Sequence, residues 1–84
     1  MTEEPSLPVV RVDFQNADAR GNVRLNTAAT VEDLTRHQIE LRPGLELRLF
    51  DGELSAVGRV DFNSDERVWV AEVSWQEVVS ADTS

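Results

Sequence analysis

From Leu45 to Trp75 apolar and polar residues alternate with period two, interrupted by only two polar turns. That period belongs to strands with one face buried, so this stretch constrains the fold more than any other. Leu45, Leu47 and Leu49 fall on one side, and Asp51-Gly52 follows, a pair suited to the positive φ angles of a two-residue turn. Folding about that turn predicts Leu49 opposite Leu54, Leu47 opposite Ala56 and Leu45 opposite Gly58. The next turn, Asn63-Ser-Asp-Glu66, predicts Val60 opposite Trp69, Gly58 opposite Ala71, Ala56 opposite Val73 and Leu54 opposite Trp75. Leu47, Ala56, Val60 and Trp69 are all expected to be buried. Three antiparallel strands, 45–50, 53–62 and 67–75, result.

The first half is less regular. Val10, Val12 and Phe14 line one side of a strand over 9–14, and Val23 and Leu25 one side of a shorter strand over 22–26. The polar stretch 15–21 between them ends in a glycine suited to a bulge. Thr30-Val-Glu-Asp33 resembles a capping box, with Asp for the usual Glu or Gln, and predicts a helix from Val31 to about His37 that buries Val31 and Leu34. Arg11-Val-Asp-Phe14 recurs as Arg59-Val-Asp-Phe62; both segments answer the same strand alternation and turn demands, so convergence is the favoured origin.

The expected fold class is all-β, mainly antiparallel: a small five-stranded barrel of the SH3-like or OB-like kind, in the order ββαβββ with one short helix. The alternative is a half-open antiparallel sheet packed on the helix. Residues 1–6 and 80–84 are expected to be flexible tails around a single domain at 7–79. No apolar run exceeds four residues, so no membrane span is expected, and Met1-Thr-Glu-Glu4 does not read as a secretory signal. The expected location is the cytoplasm.

Chemistry-bearing patterns are sparse. With no Cys, disulfides and thiolate sites are excluded; His37 is the sole histidine and has no readable nucleophile or carboxylate partner. Asp51, Glu53, Asn63, Asp65 and Glu66 read as turn residues, without the spacing of a calcium loop. No enzyme, metal or cofactor is expected. The formal charge is −8, from sixteen acids and eight bases that are all Arg, which disfavours nucleic acid and anionic lipid. The outline of Asp18–Leu49, a Gly-containing basic turn, a short helix and Pro43-Gly44, resembles the swapped-hairpin DNA-binding domains of the AbrB and MazE type. Asn26 stands where those domains carry a strand-ending Pro and the charge has the opposite sign, so the chain is not assigned to them.

One anomaly points outward. Phe50, Val57, Val68 and Val70 fall on the side of the sheet away from the core, with Val9 a neighbour on the first strand. Apolar residues on both sides of a strand imply two layers. The expected cover is the Val78-Val79 tail, the helix, a protein partner or a second copy in a weak homodimer. The functional expectation is therefore a small acidic, non-enzymatic protein-interaction or regulatory module. The alternative is a nucleic-acid-associated small barrel with Arg20, Arg24, Arg36 and Arg42 as a local patch.

Overall fold

The computed structural model describes residues 7–80. The elements are β1 (Val9–Arg11), β2 (Val23–Arg24), α1 (Ala28–Arg36), β3 (Glu46–Phe50), β4 (Leu54–Asn63), β5 (Val68–Val73), a 3-10 turn (Trp75–Glu77) and β6 (Val79–Ser80). The chain is mostly strand with one helix, and the sheet curls into an open half-barrel in the order β1-β3-β4-β5-β2, with β6 on β4. β4 organises it. Its ten residues pair with β3 along one side, and with β6 and then β5 along the other.

The sheet is mainly antiparallel, as expected, but mixed, because β1 runs parallel to β3, Val10 opposite Leu49. The closed barrel is corrected toward the half-open alternative, because β1 and β2 end up on opposite edges instead of closing on each other. The reason lies in 12–22, too long for a hairpin and organised around Asp18. The Asp18 carboxylate is buried and accepts hydrogen bonds from the Arg20 and Asn22 N–H groups at 2.9 Å each and from the Asn63 side-chain amide at 2.9 Å. Burial raises the Asp18 pKa, but these hydrogen bonds and the nearby Arg24 outweigh it and leave the group below the ordinary carboxylate value.

Both hairpins form, each displaced by two residues from its expected register. In the first, Leu49 lies opposite Ala56 and Leu47 opposite Gly58. Asp51 flanks the turn instead of occupying it: its carboxylate accepts from the N–H groups of Glu53 and Leu54, and its own N–H donates to the Leu54 carbonyl. Gly52, at φ 102°, takes the first turn position. In the second hairpin Val60 lies opposite Ala71 and Phe62 opposite Trp69. Asn63 stays in the strand, held by Asp18 and accepting from the Glu66 N–H, so the loop is Ser64–Arg67 with Arg67 left-handed at φ 57°. A slip of two preserves which face each side chain occupies. Leu47, Ala56 and Val60 are accordingly buried, whereas Trp69 is only half-buried.

The helix starts three residues earlier than Thr30-Val-Glu-Asp33 suggests. Thr27 is the N-cap, accepting from the Thr30 N–H at 3.1 Å. This start rotates the helix so that Thr30 and Asp33 are buried and Val31 is 51% exposed; Leu34 packs on the core as expected. At the other end the Ile39 N–H bonds to the Leu34 carbonyl and the Gln38 N–H to the Thr35 carbonyl, a Schellman closure with Gln38 left-handed at φ 55°.

Candidate interaction face

Residues opposite one another across a ladder share a face, so the registers assemble the outer surface row by row. One row reads Val9, Arg48, Val57 across β1, β3 and β4. The next reads Arg11, Phe50, Ser55, Val79 across β1, β3, β4 and β6. On the other side of the first row lie Glu46, Arg59 and Glu72. Val9 is 45% exposed, Val57 43% and Val79 56%, and Phe50 is half-buried. Three open valines thus sit on β1, β4 and β6, with Arg48 of β3 between Val9 and Val57. Arg48 makes no ion pair among the described residues.

The structure separates the four apolar residues expected on this face. Phe50 and Val57 occupy the two rows just described. Val68 lies opposite Asn63 at the far end of β4 and is half-buried. Val70 lies between Asp61 and Arg24 and is only 1% exposed, covered by its own chain, so it offers nothing to a partner. Val79 was expected as a possible cover; instead it pairs beside Ser55 and extends the apolar surface, while Val78 packs on the core. The Val78-Val79 doublet was the available signal: in a strand, adjacent valines point to opposite faces.

The four arginines of the alternative reading have different fates. Arg24 grips Glu66 with both ends of its fork, Nε to Oε1 at 2.7 Å and Nη2 to Oε2 at 2.8 Å, and also donates to the Ala17 carbonyl. That bond raises the Arg24 pKa and lowers that of Glu66. Arg36 pairs with Glu32 at 3.1 Å and Asp33 at 3.5 Å. Arg20 and Arg42 are exposed. Two of the four are thus neutralised by carboxylates. His37 is exposed at the helix C-cap, and the described residues hold no group of three His, Cys, Asp or Glu placed to bind a metal. No helix among the described residues is long and apolar enough to cross a membrane.

The most developed polar cluster lies at the edge of β1. Asp33 receives the Arg11 guanidinium through Nε at 2.9 Å and Nη2 at 2.8 Å, and also the Arg11 backbone N–H at 2.9 Å. Arg11 Nη2 reaches Glu32 Oε1 at 2.6 Å as well. Thr30 Oγ1 donates to the Arg11 carbonyl at 2.6 Å, which leaves the Thr27 hydroxyl as donor in the 2.7 Å Thr27–Thr30 contact. The hydrogen bond from Arg11 holds the Asp33 carboxyl at a pKa of about 2. Two helix side chains thus take the place of a neighbouring strand, satisfying both backbone groups of Arg11 on the open side of the sheet. This cluster maintains the architecture: every buried side-chain polar atom among the described residues has a hydrogen-bond partner.

No known protein family matches the chain, and no curated protein or solved structure is significantly similar to it.

Proposed function

We propose that the chain is a small acidic, non-enzymatic protein-interaction module of the SH3-like or OB-like class, working through the outer face of its half-barrel. The observation that carries this reading is the exposed apolar surface on β1, β3, β4 and β6, where Val9, Val57 and Val79 are each about half open to solvent. A solvated sheet face ordinarily alternates toward polar residues, and a cluster of β-branched ones spanning several strands favours a covered surface. The nucleic-acid reading is weaker, because Arg24 and Arg36 are already engaged and the chain carries −8.

The test compares the wild type with Val57→Glu as immobilised baits in cell extract, with circular dichroism to establish that both are folded. The interaction reading expects specific proteins retained by the wild type and released from Val57→Glu. Identical retention by the two removes this face as the binding site.

A further inference from the structure

Resting on that reading, we propose that the outer face takes a protein segment with an uncharged aliphatic centre and basic flanks. The apolar rows do not end in neutral surface. Above Val9, Arg48 and Val57 lie Glu46 and Glu72, both exposed, on either side of Arg59. Below Phe50 the chain turns through the exposed Glu53. At the β1 end of the lower row Arg11 is already paired with Glu32 and Asp33, so it offers no free cation. An apolar centre with charged groups at its rim is the common layout of a protein interface, and here the rim is mainly acidic.

The whole chain points the same way, since a charge of −8 draws cationic partners and repels anionic ones. Arg48 refines the specificity. Standing between Val9 and Val57 without an ion pair among the described residues, it repels a Lys or Arg placed at the partner's centre. The basic residues must therefore lie outside the aliphatic ones. A second copy fits less well, because it brings another −8 and the same acidic rim.

The experiment titrates the full-length 15N-labelled chain with the synthetic peptide KKVIVIKK and, separately, with the polar control KKSTSTKK, following amide shifts by NMR. The expected result is a set of shifts centred on Val9, Arg48, Phe50, Val57 and Val79, with KKSTSTKK binding about tenfold more weakly. Glu46→Lys combined with Glu72→Lys should weaken KKVIVIKK by a similar factor, and the isosteric Val57→Thr, which keeps the strand's shape, should weaken it too. Equal binding of the two peptides would reduce the effect to general charge attraction and overturn the proposal. So would shifts centred elsewhere, or concentration-dependent shifts of this face without peptide, which would identify a second copy as the occupant. If KKVIVIKK fails to bind while capture from extract still depends on Val57, the partner chemistry falls and the interaction reading stands.

Discussion

At the scale of single residues, Asp33 and Gln38 carry the clearest consequences. Asp33 is buried, and its carboxylate is ionised against Arg11 by two side-chain bonds and one backbone bond. Its folded pKa of about 2 lies below the ordinary 3.8, so its stabilisation is complete above the ordinary value and is lost as pH falls toward 2. Asp33→Asn should therefore cost about 2–3 kcal/mol at neutral pH. It should also flatten the decline of stability between pH 4 and about 2 that the wild type shows in chemical denaturation. A variant as acid-sensitive as the wild type in that window would remove Asp33 as the source. Gln38 is left-handed at the helix terminus, a conformation that is strained for any residue with a Cβ. The N–H groups of Gln38 and Ile39 do the closing, and Gly keeps both. Gln38→Gly should raise stability by about 0.5–1 kcal/mol, read as a higher Tm.

At the scale of elements, β4 is crowded from both sides at Gly58. A Cβ there would lie 2.8 Å from Leu49 Cδ1 and 3.0 Å from Ala71 Cβ, on the two strands that flank it. Gly58→Ala should cost about 1–3 kcal/mol through overpacking, and Gly58→Val more. Pairing it with Leu49→Ala should recover part of the loss, because the deletion opens the space the new methyl needs. Additive losses in that double variant would mean that the close approach is not what fixes Gly58. Five of the strands and the faces of β3 and β4 were legible in the sequence from periodicity, and the existence of the helix from the cap-like Thr30-Val-Glu-Asp33. The registers were not. Each turn was displaced by a side chain that acts on the backbone, Asp51 capping its own turn and Asn63 drawn into the strand by Asp18, forty-five positions away. The helix start escaped for a related reason, because Thr27-Ala-Ala-Thr30 and Thr30-Val-Glu-Asp33 are both plausible caps. The contact of Arg11 with Asp33 decides between them, and no local pattern encodes it. Of the candidate face, Phe50, Val57 and Val9 were readable from parity; Val79 needed the pairing of β6 with β4.

At the scale of the molecule, a sheet that stays open must still protect two edges, and this one does so without closing. The β1 edge is occupied by Thr30 and Asp33 from the helix. The β2 edge is occupied by the chain just before it, where the Arg24 N–H donates to the Asn16 carbonyl and Ala17 bridges Val23. From the second half of the chain that connector is held by Asn63 on Asp18 and by Trp75, whose Nε1 donates to the Gly21 carbonyl at 2.9 Å. Trp75 also meets Phe14 edge-on, ring centroids 6.0 Å apart, and begins the turn that delivers Val78 to the core and Val79 to β4. One residue thus joins the connector to the C-terminal segment, although it is 46% exposed. Trp75→Phe keeps an aromatic ring against Phe14 and deletes the donor, and should cost about 1 kcal/mol. Trp75→Ala removes both and should cost about 2 kcal/mol, less than a fully buried Trp because half of the ring already faces water. The separating measurement is amide exchange: Trp75→Ala should speed exchange at Gly21–Arg24 and also at Ser55, which lies opposite Val79 of β6. Faster exchange at only one of the two places would show that the connector and the C-terminal segment are held independently, and that Trp75 does not couple them.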